Sequence, residues 1–299
     1  MRRLSLREGH REPAKAPRGG LSRSVYEFDC QGAQIQRRYE KFMKHIRSIV
    51  VLTGAGISVE SGLSTFRDHG GLWCNHRIED VATPEAFERD PKLVQDFYNM
   101  RRAQLKEVEP NAAHRALAEL AGRWDGDFLL VTQNVDDLHE RALIGKTLRA
   151  GFGLLHMHGE LAKARCVATG RVYDWTGDIT LESKCTCCNE AKTLRPHIVW
   201  FGEMPLQLDR VYAALQKCDL FVSIGTSGNV YPAAGLVQEV REVGRGRAIE
   251  LNLEPSLDHT MFDERIYGNA TRIVPEFVAK VLAAQTRAQL ERKTGHGFE

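Results

Sequence analysis

The chain has 299 residues, a net charge of +2 and 42% hydrophobic residues. That length accommodates one large α/β domain with a small appendage, and so small a charge does not single out a nucleic-acid partner. No run of about 18 apolar residues occurs, which argues against a membrane-spanning helix.

The N-terminal stretch carries Arg2, Arg3, Arg7, Arg11, Lys15, Arg18 and Arg23 against Glu8 and Glu12, without the apolar core of a secretory signal. Residues 1–36 are therefore expected to be a disordered basic tail. The acidic residues and early prolines count against a mitochondrial transit peptide. The folded domain is expected over 37–290, with 291–299 as a flexible end. Seven cysteines, an odd number with no secretion signal, point to reduced thiols in the cytoplasm rather than a disulfide framework.

Tyr39, Phe42, Met43 and Ile46 follow the spacing of an amphipathic helix. A strand is predicted over Ser48–Thr53, ending abruptly in Gly54-Ala55-Gly56-Ile57-Ser58. This pattern reads as a buried parallel strand turning sharply into a helix. The glycines let the backbone approach a ligand, and a helix N-terminus at the same spot suits a phosphate. Val59, however, stands where the dehydrogenase fingerprint G-x-G-x-x-G requires its third glycine. The motif thus suggests a dinucleotide site of another kind than the ordinary hydride-transfer one.

Residues 68–73 read as a glycine-rich loop and 84–105 as helical, with Pro84 and Pro91 at plausible helix starts. Another helix is predicted over Asn111–Ala121. Further strands are predicted at Phe128–Thr132, Asp219–Ile224 and Ala248–Leu253, with helical stretches at 206–216 and 231–243. Each strand ends in polar or small residues: Gln133-Asn134-Val135-Asp136, Gly225-Thr226-Ser227-Gly228, and Asn252-Leu253-Glu254. The alternation predicts an α/β fold, a Rossmann-like doubly wound parallel sheet, with a helical insertion near 68–107. Ligands of such sheets bind at the carboxyl ends of the strands.

Residues 160–197 break the alternation and concentrate four thiols, so they are read as a small inserted zinc-binding module that needs a staple. Cys166, Cys185 and Cys188 are the leading ligands for one structural zinc; a histidine, a water or Cys187 completes the shell. The plain alternative is a set of free surface thiols. His156-Met157-His158 lacks the H-E-x-x-H zinc spacing. A histidine here is either a structural strand-end residue or a general base at the mouth of the crevice. Asn134 and Asp136 serve equally as turn formers. Phe66 fits a core, and Arg67 suits phosphate oxygens.

Taken in order, Gly54-Ala55-Gly56-Ile57-Ser58, Ser61-Gly62, Thr65-Phe66-Arg67, Gly71-Leu72-Trp73, Gln133 to Asp136, His158-Gly159, Gly225-Thr226-Ser227 and Asn252 to Glu254 resemble the sirtuin family. These are NAD-dependent protein-lysine deacylases, and the likeness is to bacterial members over roughly residues 46–285. The resemblance implies that Gly54, Ala55, Gly56 and Ser58 cradle the NAD pyrophosphate. It puts Thr65, Phe66, Arg67 and Trp73 in or near a mobile cofactor loop. It implies Gln133 on the ribose, with Asn134, Val135 and Asp136 toward nicotinamide. Gly225, Thr226 and Ser227 would bind phosphate or ribose, and Asn252 with Glu254 the adenosine end; Leu253 and Ala270 complete the cofactor set. His158 would be the catalytic base, assisted by Asn134 and Asp136. Val199, Phe201 and Gly202 lie in the segment that would pair with the substrate peptide.

The same resemblance implies that Tyr98 and Arg101, three residues apart on one helix face, read the carboxylate of a succinyl or malonyl group. The plain alternative is an exposed helix surface with Arg102 beside them. Arg149 to Gly153 are read as an additional surface loop that lowers activity if it displaces His158. Two competing functions use the same cofactor: a mono-ADP-ribosyltransferase and a non-catalytic NAD-binding module. Acylated protein lysines and NAD are the expected partners, with no membrane or nucleic-acid partner and an open oligomeric state.

Overall fold

A computed structural model describes residues 42–64, 72–73 and 76–294. The expectations on the basic tail, on Thr65, Phe66 and Arg67, and on the side chain of Trp73 lie outside the described residues.

In chain order the strands are β1 (Ser48–Thr53), β2 (Leu72–Trp73), β3 (His76–Arg77), β4 (Asp127–Thr132), β5 (Phe152–His156), β6 (Gly159–Cys166), β7 (Val172–Asp174), β8 (Leu194–Ile198), β9 (Leu220–Ile224), β10 (Arg247–Asn252) and β11 (Glu264–Tyr267). Six of them form one sheet in the order β11-β10-β9-β1-β4-β5, every pair parallel. All residues of β1 and β9 are buried, as their continuous apolar runs require of central strands covered on both faces. The winding direction reverses between β1 and β9, which creates the crevice at their carboxyl ends.

The predicted sheet has four strands; β5 and β11 extend it on the two edges. The first of these corrects only the end of the loop read over 149–153: residues 149–151 form an exposed turn, and the strand begins at Phe152. Phe152 and Gly153 pair with Phe128 and Leu129, and the Phe128 and Phe152 rings lie 5.3 Å apart. Met157, just before His158, is held against the end of β4 by its N–H, which donates to the Thr132 carbonyl at 3.0 Å.

The helical stretch expected over 84–105 is two helices, Pro84–Arg89 and Pro91–Leu105, each starting at one of the two prolines. Asp90 separates them and caps the second by accepting from Leu93 N–H at 3.0 Å. The expected α-helix after the glycine turn does not form. Two 3₁₀ turns, Ala55–Ile57 and Val59–Ser61, replace it and end at Gly62 with φ +98°. No long helix dipole therefore faces the turn. Similarly, the stretch 231–243 is a short 3₁₀ turn followed by the helix Leu236–Val243. A terminal helix, Ala270–Thr294, packs on the helix Ala112–Arg123.

The module that interrupts the alternation is a three-stranded antiparallel sheet, β7-β6-β8. Its small core is Ala164, Ile179 and Leu194 with the buried Cys166 and Cys185. Polar groups of Pro91–Leu105 fasten it down. Asn99 exchanges two hydrogen bonds with the Ile179 backbone at 2.9 Å each. Arg102 donates from Nε to the Leu161 carbonyl at 2.7 Å and is 4% exposed. This helix face is thus internal rather than solvated. No helix among the described residues is long and apolar enough to cross a membrane.

Candidate active site

The turn after β1 meets the turn after β9 backbone to backbone. Gly54 N–H donates to the Ile224 carbonyl at 2.9 Å, and Gly56 N–H to the Gly225 carbonyl at 2.8 Å. A Cβ on Gly56 would stand 2.7 Å from Gly225 Cα. A Cβ on Gly225, whose φ is +62°, would stand 2.5 Å from Ile57 N. The glycines were expected to make room for a ligand; their nearest constraint is the opposing turn.

Ser58, at the junction of the two 3₁₀ turns, is the centre of a buried polar cluster. Its hydroxyl donates to Asp136 Oδ2 at 3.0 Å and accepts from Asn134 Nδ2 at 3.1 Å. His114 approaches the same oxygen at 3.4 Å through Nε2, while its Nδ1 faces Asn111 N–H at 3.4 Å. An N–H can only donate, so Nδ1 is the acceptor and Nε2 carries the proton. Burial pushes His114 down to about 4 and raises Asp136 against the opposing hydrogen bonds from Leu138 N–H and Ser58. The cluster therefore balances a neutral histidine, an amide and a reluctant carboxylate around one hydroxyl.

His158 follows β5 by two residues. Its Nδ1 lies 3.1 Å from the Gln133 carbonyl, which only accepts, so Nδ1 holds the proton and Nε2 keeps its lone pair. Burial lowers its pKa, partly opposed by that hydrogen bond. A neutral imidazole in this tautomer is the form a general base needs. His156 has different partners, the Asn134 carbonyl at 3.1 Å and Glu140 Oε1 at 2.6 Å.

A cavity of about 790 Å³ runs across the carboxyl ends of the strands. Gly54, Ala55, Gly56, Ser58, Gln133, Asn134, Val135, Asp136 and His158 line it, as do Gly225, Thr226, Ser227, Asn252, Leu253, Glu254 and Ala270. Asn252 Nδ2 donates to the Thr226 carbonyl at 2.8 Å, tying the ends of β9 and β10 together. Gln133 Nε2 is buried here and finds no hydrogen-bond partner among the described residues. A donor left in that state calls for a ligand acceptor such as a sugar hydroxyl.

Tyr98 and Arg101 line the same cavity. Both are buried, at 0% and 8% exposure, which removes the exposed-helix alternative. The Tyr98 hydroxyl accepts from Trp200 Nε1 at 3.1 Å, and burial raises its pKa. Val199, Phe201 and Gly202 also line the cavity. Glu203 orders this segment, since it accepts from Trp200 N–H at 2.8 Å and from Arg195 at 2.7 and 2.9 Å. Phe201 is 42% exposed and Gly202 has φ +89°. The sequence reading missed His114, although Asn111 and His114 form a capping box, and it missed Glu60, whose carboxylate accepts from Thr271 N–H at 2.9 Å.

In the antiparallel module, the Sγ atoms of Cys166, Cys185, Cys187 and Cys188 all lie within 4.8 Å of one another. Four thiols so placed match the tetrahedral donor set of a structural zinc, and Cys187 lies in the same cluster as Cys166, Cys185 and Cys188. The described cysteines are free of disulfides.

Comparison with known proteins follows the same lines. The Sir2 family profile matches residues 54–232. An "NAD-dependent protein deacylase" of Escherichia coli (strain K12) is 58% identical over 236 residues, covering 78% of this chain and 82% of the relative. One of the same description from Pasteurella multocida (strain Pm70) is 57% identical over 241 residues, covering 80% and 99%. A solved "Sir2 homolog–NAD complex" superposes with a TM-score of 0.73 at 37% identity, covering 83% of this chain and 94% of that one. "Sir2Af2 bound to a myristoylated histone peptide" superposes with a TM-score of 0.62 at 29% identity, covering 84% and 98%. A family match over residues 54–232 and relatives at 57–58% identity show that the chain belongs to the Sir2 family.

Proposed function

We infer that the protein is an NAD-dependent protein-lysine deacylase that removes succinyl and malonyl as well as acetyl groups. The observation that carries this reading is one cavity lined both by His158, with a free Nε2, and by the buried Tyr98 and Arg101. An arginine fork beside a phenol supplies the donors that a carboxylate needs once it leaves water.

NAD would extend from the β9 and β10 ends toward Ser58. Asn252 and Glu254 would hold its adenosine end, and Thr226 and Ser227 a ribose or phosphate. Gln133 Nε2 would donate to the ribose, and the Ser58–Asn134–Asp136 cluster would take the nicotinamide side. Breaking the nicotinamide–ribose bond releases neutral nicotinamide, and the acyl carbonyl oxygen adds to the ribose carbon. His158 Nε2 then accepts a ribose hydroxyl proton, so that the sugar captures the acyl carbon. Water completes the transfer, leaving free lysine and O-acyl-ADP-ribose. Cys166, Cys185, Cys187 and Cys188 would hold one zinc, which supplies only a staple for a module whose core is five residues.

Incubation with NAD and acetyl-, succinyl- or malonyl-lysine peptides, read by mass spectrometry, tests this reading. The expected products are nicotinamide, deacylated peptide and the matching O-acyl-ADP-ribose. A stable ADP-ribosyl protein would favour a transferase, and unconsumed NAD a binding module.

A further inference from the structure

His156 is buried, stands two residues before the expected base and takes no part in the chemistry above. Its Nδ1 lies 3.1 Å from the Asn134 carbonyl oxygen and its Nε2 lies 2.6 Å from Glu140 Oε1. Both of those oxygens can only accept. The two contacts are hydrogen bonds at once only when both ring nitrogens carry protons. His156 is thus held as an imidazolium at a position that is 8% exposed.

Its surroundings account for the charge. Glu140 comes from the helix Leu138–Leu143, and Glu160 Oε1 of β6 lies 3.9 Å from Nε2. Lys163 answers Glu160, with Nζ 2.5 Å from Oε2. Asp136 and His139 also sense the ring. Burial works against the charge, but Glu140, Glu160 and the Asn134 carbonyl outweigh it and raise the His156 pKa. His158 is shifted the other way, so neighbouring histidines on one short segment carry opposite protonation states.

The Asn134 carbonyl is a consequential point to hold. The Gln133 carbonyl, one residue earlier, sets the His158 tautomer at 3.1 Å. The Asn134 side chain reaches Ser58 at 3.1 Å. The N–H side of the segment is fixed by Gln133 N–H on the Thr53 carbonyl at 2.9 Å and Asn134 N–H on Thr132 Oγ1 at 3.0 Å. His156 fixes the opposite side.

We propose that Glu140 and His156 form a positioning pair that sets the Gln133–Asp136 segment for the NAD-side chemistry. Neither residue lines the cavity; they act through Asn134. The proposal rests on the assignment of the cavity to NAD, and wild-type turnover in the same assay tests that assignment separately.

The test is steady-state kinetics of the full chain with NAD and an acyl-lysine peptide varied in turn, from pH 6 to 9.5, alongside thermal unfolding. H156A is expected to lower kcat/KM for NAD about 10- to 100-fold, the usual scale for a misplaced reacting group, with peptide KM within about twofold of wild type. E140Q separates charge from geometry. The glutamine amide donates to a neutral Nε2, while Nδ1–H still donates to Asn134. E140Q is therefore expected to stay within about threefold of wild type at pH 7.5, since hydrogen bonds tolerate the exchange where geometry is kept. The pH profile provides a signature independent of whether H156A folds. The contribution of the charged pair is complete below the ordinary imidazole pKa of about 6.5 and lost as pH rises through the raised folded value. Wild type should show that alkaline loss in kcat/KM for NAD, and E140Q should not. Equal losses for NAD and peptide that track unfolding temperature, or the same alkaline limb in E140Q, would overturn the proposal.

Discussion

Gly56 and Gly225 touch through their backbones: the Gly56 N–H donates to the Gly225 carbonyl at 2.8 Å, and a Cβ on either would collide with the other turn. The glycine motif after β1 is therefore half of a two-turn joint at the switch point, and β9 supplies the other half. Replacing Gly225 with alanine should cost about 1–2 kcal/mol for the left-handed backbone alone, and more for the 2.5 Å approach to Ile57 N. Urea unfolding of G225A should show a loss above about 2 kcal/mol, together with weakened NAD binding. Stability equal to wild type would show that the joint relaxes freely.

Arg101 divides acidic from neutral acyl groups in this account. R101M keeps the bulk of the buried side chain and removes the fork. Its kcat/KM on succinyl-peptide should fall about 100-fold or more, the cost of leaving a buried carboxylate without its charged partner. Turnover of acetyl-peptide should change only a few-fold. Matching losses on both peptides would remove Arg101 from acyl recognition.

Acid stability carries the mark of the buried neutral histidines. With a folded pKa depressed to about 4, His114 supports the fold fully above its unfolded pKa of about 6.5, and that support is lost as pH falls toward the folded value. The full loss amounts to roughly 3 kcal/mol. His139 is shifted in the same direction by burial. Urea melts between pH 7.5 and 4.5 should show stability falling with acid, with a shallower slope in H114Q. An unchanged slope would show that His114 is not protonated on unfolding.

The fourth thiol is a separate matter of metal content. Metal analysis of the purified chain should find one zinc, and C187S should lose most of it with a lower unfolding temperature, because a three-thiol site leaves one position open. Full zinc retention in C187S would return the fourth position to another ligand.

Much of this molecule was legible from local pattern. The apolar runs of β1 and β9 announce buried parallel strands, and the polar strand ends announce the crevice. Strands β5 and β11 were not legible because they lie on the sheet edges. Phe152-Gly153-Leu154 is only half-buried, and β11 alternates between half-buried and exposed residues, so neither carries a continuous apolar signal. The role of Gly56 was legible as a close approach, but what it approaches lies far along the chain. His114 reads as one polar residue in an alanine-rich helix until the fold brings Ser58 to it. Spacing favoured Cys188 but left Cys187 as one of three candidates for the last position. Positive φ at Asn189 and Lys192 shapes the turn that follows them, and the fold gathers both thiols in one cluster with Cys166 and Cys185.

In the proposed reaction His158, a neutral base in the cavity that holds Tyr98 and Arg101, completes acyl transfer to the ribose. Quantitative mass spectrometry of succinyl-peptide turnover in wild type and H158A tests it most directly. Wild type should form nicotinamide, free peptide and O-succinyl-ADP-ribose in equal amounts. H158A should lose about 100- to 10,000-fold in rate, the range for removing a general base, while still binding NAD. Full-rate product formation by H158A, or NAD consumption without O-succinyl-ADP-ribose in wild type, would contradict the account.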